Sequence, residues 1–195
     1  MLVFWDARLV FLATPKAGST AVQVALESLA SMSVDRPAIL KHTSASDFQR
    51  HVAPWLEDRA GAKFTTVALM REPLSWLQSW YRFHLQETRD QTDDQPEGEN
   101  FEAFINRYCR EVDEGTSLIG TQAGFLGHGS ERPVDRIFRY EEIDQFTHFL
   151  EDSLDCVINL PRINVPRSAD VSISVDTREA LQAVLANDIA LYRSL

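Results

Sequence analysis

The chain has few cysteines, no long apolar run and no excess of basic residues, and each shortage excludes a class of protein. Cys109 and Cys156 are too few for a disulfide framework and too isolated for a metal site, so both are expected to be free thiols. No apolar segment approaches the length of a membrane span, and the start, MLVFWDAR, is too short and too charged for a signal peptide. We therefore expect a soluble cytoplasmic protein without a membrane span.

Basic residues are outnumbered, since 19 Lys and Arg stand against 29 Asp and Glu, and the formal charge is -10 at pH 7. A nucleic-acid-binding face needs a basic surplus, so no nucleic-acid partner is expected. A nucleotide ligand would have to bind in a locally basic pocket. The 44% share of hydrophobic residues is typical of a globular protein, and 195 residues are enough for one sizeable core. We predict one domain over residues 1–195.

The segment Phe11–Thr20, FLATPKAGST, joins an apolar run to a loop of small and polar residues. The charge-free run Leu9–Leu12 is typical of a strand buried on both faces of a parallel sheet. Ser19 and Thr20 are good helix caps, and apolar residues follow at helical spacing. A strand, a short loop and a helix N-terminus direct free N–H groups and the positive end of the helix dipole to one place, which suits phosphate or sulfate.

The loop does not have the order of the common phosphate loop, in which a lysine follows the second glycine and directly precedes Ser or Thr. It resembles the first signature of the 3′-phosphoadenosine 5′-phosphosulfate (PAPS)-dependent sulfotransferases, Pro-Lys-[Ser/Thr]-Gly-[Ser/Thr]-[Ser/Thr]. Ala17 departs from that signature because it lacks a hydroxyl. The resemblance implies a P-loop-like loop that binds the phosphosulfate through Pro15, Lys16, Ala17, Gly18, Ser19 and Thr20. The alternative is an ordinary strand-to-helix turn.

A second strand-to-helix unit carries an arginine. The segment 63–70, KFTTVALM, is rich in β-branched and apolar residues and predicts a strand that ends at Arg71. An ATPase or GTPase of the phosphate-loop type would have an aspartate for Mg²⁺ at such a position, whereas this chain has a cation. Pro73 suits the first turn of the helix that follows.

Ser79 lies on that helix, eight positions after Arg71. This spacing resembles the second sulfotransferase signature, and the resemblance implies that Arg71 and Ser79 bind the 3′-phosphate. A guanidinium and a hydroxyl are suitable ligands for a terminal phosphate. The alternative is a solvated arginine. The aromatic residues of the same helix form a stripe expected in the core: Trp76, Trp80 and Phe83.

A histidine provides a candidate base. The segment 39–42, ILKH, predicts a short second strand, with Thr43 and Ser44 as caps for the next helix. His42 would then lie at the carboxyl end of a strand, where ligands bind in open α/β sheets. The resemblance implies that His42 is the general base, and the alternative is a histidine that caps the next helix.

Later segments complete the expected fold. The acidic stretch from about 87 to 100 predicts a flexible loop, and the stripe Phe101, Phe104, Ile105 and Tyr108 predicts a helix. A strand is expected over 134–140 and helices over 141–154 and 176–195. The segment 139–142, RYEE, resembles the family at a position expected to be structural. The irregular basic segment 160–168 contains Arg167, which either contacts the nucleotide, as a late basic loop does in the family, or is solvated.

Together these features predict an α/β single domain with a central parallel sheet and flanking helices. The ending Asp188–Tyr192, Asp-x-x-Leu-Tyr, resembles the carbohydrate-type branch of the sulfotransferases. The family resemblance implies transfer of a sulfuryl group from PAPS to a hydroxyl or amine of a small-molecule or carbohydrate acceptor. Lys16 and His42 would be the catalytic residues, and no metal is required. The surplus of carboxylates favours a neutral or cationic acceptor. The alternatives are a P-loop-type nucleotide kinase or NTPase and a non-catalytic nucleotide-binding module.

Overall fold

The apolar run Leu9–Leu12 forms the central strand, β2, of a five-stranded sheet in a computed structural model that describes residues 1–91, 99–161 and 169–195. The other strands are β1 (Leu2–Phe4), β3 (Met32–Ser33), β4 (Thr65–Met70) and β5 (Arg136–Arg139). Their spatial order is β3-β1-β2-β4-β5. Every residue of β2 is buried, as its lack of charge predicts.

The described helices flank this sheet. They are α1 (Ser19–Leu26), α2 (Ala38–Lys41), α3 (Ala45–Asp47), α4 (Ala53–Ala60), α5 (Pro73–Gln91), α6 (Phe101–Asp113), α7 (Gln122–Phe125), α8 (Ile143–Leu154), α9 (Val175–Val184) and α10 (Ala186–Ser194). A π-helical turn at Phe48–Val52 joins α3 to α4, and a 3₁₀ turn at Tyr140–Glu142 precedes α8. Within the described residues, no helix has the length and apolar character needed to cross a membrane.

The sheet is mixed, so the prediction of a parallel sheet is correct for only part of it. Strands β2, β4 and β5 are parallel, whereas β1 pairs antiparallel with both β2 and β3. The turn Trp5–Arg8 between β1 and β2 is closed by the Arg8 N–H, which donates to the Trp5 carbonyl at 3.2 Å. So short a connection forms only a hairpin, because parallel neighbours need a long crossover.

The strand predicted over 39–42 is wrong, because these residues belong to α2 and its C-terminal cap. The Leu40 and Lys41 N–H groups donate to the Pro37 carbonyl, and the His42 N–H donates to the Ala38 carbonyl. Both edges of β2 are already occupied by β1 and β4, so no place beside it remains for this segment. Ile39 therefore lies at the surface, 80% exposed.

Other predicted elements are confirmed with adjusted bounds. The strand ending before Arg71, the helix beginning at Pro73, the helix at Phe101, the late strand and the helix after it are all present. The final helix is instead two, α9 and α10, which meet at the non-helical Leu185. Helix α5 extends to Gln91, so the acidic stretch begins in a helix rather than a loop; residues 92–98 lie outside the described residues. Both cysteines are free thiols, as predicted.

Alternation along the strands divides the core between the two faces of the sheet. Val10 and Leu12 point to the face that packs on Phe48, Leu56 and Leu126. Leu9 and Phe11 point to the other face, which packs on α1 and α8 through Val22, Leu26, Phe146 and Leu150. Both faces of the inner strands are thereby removed from water, which is the arrangement that the uninterrupted apolar runs predict.

A third apolar cluster joins α5, α6 and α9 beside the sheet, and the predicted aromatic stripe belongs to it only in part. Trp76 is 1% exposed and packs edge-on against Tyr108. Trp80 is half-buried, and Phe83 is 38% exposed. The prediction that Phe83 is a core residue is wrong, because α5 extends past the apolar cluster and this turn of the helix borders a cleft.

We expect Phe146→Ala to lower the free energy of unfolding by about 3 to 5 kcal/mol, the usual cost of removing a buried aromatic ring. Phe146 is fully buried, and its ring contacts Phe11 on β2 and Phe138 on β5. Urea unfolding would measure the loss. The control Val157→Ala, at a position 94% exposed, should change stability by no more than about 0.5 kcal/mol. Equal effects of the two substitutions would contradict this packing.

Candidate functional site

A cleft of about 2070 Å³ lies where β2 and β4 end. Parallel strands place their carboxyl ends at one edge of a sheet, and the residues that follow them meet there. The loop after β2, Arg71 after β4 and Tyr140 after β5 all reach this edge. The sequence-predicted residues that line the cleft are Pro15, Lys16, Gly18, Ser19, Thr20, His42, Arg71 and Ser79.

Two predicted residues are not placed in this lining. Ala17 is 1% exposed and packs in the apolar cluster between the sheet and helices α1 and α8. Its methyl group fits that apolar position, and the residue as a whole, backbone included, is almost inaccessible. Arg167 lies outside the described residues.

The loop after β2 turns sharply through left-handed backbone conformations. Lys16 has a φ of 58° and Gly18 a φ of 77°. The indole N–H of Trp76 donates to the Pro15 carbonyl at 2.9 Å, which ties the loop to α5. A Cβ atom on Gly18 would lie 2.7 Å from the Tyr140 ring, so glycine is required here by both backbone conformation and space.

Gly18, and not Ser19 or Thr20, is the N-terminal cap of α1, and no side chain accepts a hydrogen bond there. The prediction that the two hydroxyl residues cap the helix is therefore wrong. Both instead lie in the first turn of α1 and line the cleft. The first turn of α1 thus lines the cleft, and a helix N-terminus favours an anion.

Lys16 lies against aromatic rings. Its Nζ is 3.8 Å from the centroid of Phe83 and 5.5 Å from that of Trp80, which is a cation–π arrangement. Burial lowers the pKa of Lys16 to about 8; Glu87 opposes this shift, and the charge of Arg71 adds to it. The ammonium is thus a desolvated cation whose charge is lost just above neutral pH.

Arg71 is held on several sides. Its Nε donates to Ser75 Oγ at 2.9 Å, and its Nη1 donates to the Lys16 carbonyl at 3.3 Å. The guanidinium lies over the Tyr140 ring, 5.0 Å from its centroid. Burial lowers the pKa of Arg71, and Tyr140 and Glu141 oppose the shift, but an arginine remains charged at any physiological pH.

His42 is oriented by the loop after β2. Its Nδ1 lies 2.6 Å from the Ala13 carbonyl, which can only accept, so Nδ1 carries the proton and Nε2 has the free lone pair. Burial lowers the pKa of His42, the Ala13 bond opposes this, and the charges of Lys41, the N-terminus and Lys16 lower it further. The ring is therefore neutral at neutral pH, and it follows a helix rather than the predicted strand.

Sequence reasoning missed Gln122. Its side chain is fully buried and clamps the backbone of Arg71: Oε1 accepts from the Arg71 N–H at 2.9 Å, and Nε2 donates to the Arg71 carbonyl at 2.8 Å. Asp188 of α10 accepts in turn from the N–H groups of Gln122 and Ala123. The sequence shows Gln122 only as a polar residue in a turn-rich segment, and nothing there indicates its partner.

Tyr140 was expected to be structural, and its contacts are consistent with that role. Its ring fills the space beside Gly18 and supports the face of Arg71. Tyr140 also lines the cleft. The next residue, Glu141, accepts from the Glu72 N–H at 3.0 Å and from the Tyr192 hydroxyl at 2.9 Å, which joins α5 and α10 to this corner.

Comparison with protein-family models and with curated proteins finds no match for this chain.

We expect Gln122→Met to lower the free energy of unfolding by about 2 kcal/mol or more, because both backbone groups of Arg71 lose a partner while the side-chain volume is kept. Denaturant unfolding would measure the loss. The matched control is Gln182→Met on α9, where the residue is exposed and little change is expected. A Gln122 variant as stable as the control would show that the clamp contributes nothing.

Proposed function

We propose that the protein is a sulfotransferase that moves a sulfuryl group from PAPS to a hydroxyl or amine of a small-molecule or carbohydrate acceptor. One observation carries the proposal: the Arg71 guanidinium donates to the Lys16 carbonyl, so cations from two separate sequence signatures meet in one cleft. The neutral His42 lies at the same opening. Cations for two phosphate groups and a base are the groups that this reaction needs.

The described residues fit the donor nucleotide. Lys16, the N-terminus of α1 and the hydroxyls of Ser19 and Thr20 line one part of the cleft and would bind its 5′-phosphosulfate. Arg71 and Ser79 would bind the 3′-phosphate, since the guanidinium is already oriented by Ser75 and Tyr140. We also propose that the loop after β2 binds phosphate in the manner of a P-loop.

In the proposed reaction, the acceptor oxygen or nitrogen forms a bond to sulfur while the bond from sulfur to the 5′-phosphate oxygen breaks. His42 Nε2 takes the acceptor proton, and the electron pair of the broken bond stays on the 5′-phosphate. Lys16 neutralises the charge that develops there. The products are the sulfated acceptor and adenosine 3′,5′-bisphosphate.

The Ala13 carbonyl keeps the His42 proton on Nδ1, which leaves Nε2 able to accept. Lys16 lies beside aromatic rings and is partly shielded from water, which strengthens its effect on a nearby anion. The loop and Arg71 are joined directly, so the two ends of the nucleotide would be positioned by one rigid unit.

Arg71→Ala is expected to weaken binding of adenosine 3′,5′-bisphosphate about tenfold or more while changing adenosine 5′-phosphate binding little, because only the first carries a 3′-phosphate. Ser79→Ala should show the same selectivity with a smaller loss. Isothermal titration calorimetry would measure both affinities. Arg110→Ala, an exposed arginine on α6, controls for the change in net charge.

Equal losses for both nucleotides would remove Arg71 from the 3′-phosphate site. The nucleotide affinities of the wild-type protein also distinguish between the functional classes. Tighter binding of ATP with Mg²⁺ than of the bisphosphate would favour a kinase or NTPase. Binding of the bisphosphate without sulfation of any acceptor in a broad screen would favour a non-catalytic module.

We expect kcat/KM for PAPS to have a bell-shaped pH dependence. It should rise as His42 loses its proton, at a pKa below the ordinary histidine value, and fall as Lys16 loses its charge near pH 8. His42→Asn should remove the rising limb, and Lys16→Ala the falling limb with a larger loss in kcat than in product affinity. The exposed Lys63→Ala is the matched control. If the rising limb persists in His42→Asn, or the falling limb in Lys16→Ala, groups other than His42 or Lys16 cause that limb of the pH profile.

A further inference from the structure

Arg82 is a cleft residue to which the mechanism above gives no role. It lies on α5, three residues after Ser79 and seven after Ser75, so helical spacing puts all three on one face. That face is directed to the carboxyl end of β4, because Ser75 receives the Nε hydrogen bond of Arg71. Arg82, Ser79 and Arg71 all line the same cleft.

Arg82 is half-buried, yet it has no hydrogen bond or ion pair with any residue that the structure describes. Arg107 on α6 shows the usual alternative, since it donates to both Glu99 and Glu111 at 2.9 to 3.0 Å. A second guanidinium, that of Arg71, lies in the same cleft, and the two charges repel each other. An anion bound to both would relieve this repulsion.

The position of Arg82 also indicates which phosphate of the nucleotide it would bind. Its charge acts on Arg71, whose pKa it lowers, whereas the charges that act on Lys16 are those of Glu87 and Arg71. Arg82 also shares its helix face with Ser75, which accepts from Arg71 Nε, so Arg82 lies on the Arg71 side of the cleft. Two of the five N–H groups of Arg71 already bind Ser75 and the Lys16 carbonyl, so three remain for a phosphate. A terminal phosphate dianion has three oxygens and can accept from more donors than these.

We propose that Arg82 is a further ligand of the nucleotide 3′-phosphate, which it would bind together with Arg71 and Ser79. This assignment rests on the proposed function, because it takes its ligand from there. Helix α5 would then bind the 3′-phosphate through the Ser79 hydroxyl and the Arg82 guanidinium, which lie one helical turn apart. Arg82 would also determine selectivity for 3′-phosphorylated nucleotides.

The test compares affinities of adenosine 3′,5′-bisphosphate and adenosine 5′-phosphate for the wild-type protein, Arg82→Ala and the control Arg110→Ala. We expect Arg82→Ala to lose about tenfold or more in affinity for the bisphosphate and little for the monophosphate, with Arg110→Ala unchanged for both. Arg82→Gln, which keeps a long polar side chain, should give the same selective loss and serves if the alanine variant folds poorly.

A double-mutant cycle with Arg71→Ala adds a second readout. If both guanidiniums bind one phosphate, the loss in the double variant should differ from the sum of the single losses. Equal losses for the two nucleotides, or no loss in Arg82→Ala and Arg82→Gln, would overturn the assignment while leaving the proposed function intact. A wild-type protein that binds both nucleotides equally would overturn the proposed function and the assignment with it.

Discussion

Backbone hydrogen bonds between three parallel strands hold Leu12 opposite Ala68 and Met70 opposite Arg139. Because of this register, the segments that leave β2, β4 and β5 emerge at one edge of the sheet. The contact between the Arg71 guanidinium and the Lys16 carbonyl, and the packing of Tyr140 on Gly18, depend on it. A change in strand order would separate these groups even if every local turn were kept.

The edge formed in this way brings Lys16 and Arg71 together, beside the carboxylate of Glu141, in a protein whose net charge is -10. Burial lowers the pKa values of Lys16, His42 and Arg71 together, so the fold holds these groups where their charged forms are disfavoured. Clusters of shifted groups in a cleft are typical of functional sites, because a bound ligand compensates for the shift. Lys16 and Arg71 together suit an anion with two separate negative groups, and we propose PAPS on that ground.

Apolar runs predicted β2 and β4 well, because burial on both faces leaves no freedom for a charge. The mixed sheet and the helix at 38–41 were not predicted. The antiparallel pairing of β1 with β2 follows from the short turn between them. The helix at 38–41 instead depends on β1 and β4 already occupying both edges of β2, which involves pairing between segments far apart in sequence. The break at Leu185 was missed because the apolar pattern of the last segment continues across it.

The sequence alone determined which chemical groups were available at the candidate site: Lys16 in a short loop after a strand, Arg71 after another, and Ser79 at helical distance from it. Local spacing suffices for these because strand ends and helix faces are short-range properties. Only the tertiary structure decided that Gln122 clamps the Arg71 backbone, that Lys16 lies on Phe83 and that Ala13 orients His42. Each of these contacts joins separate elements, and side-chain packing in three dimensions fixes them.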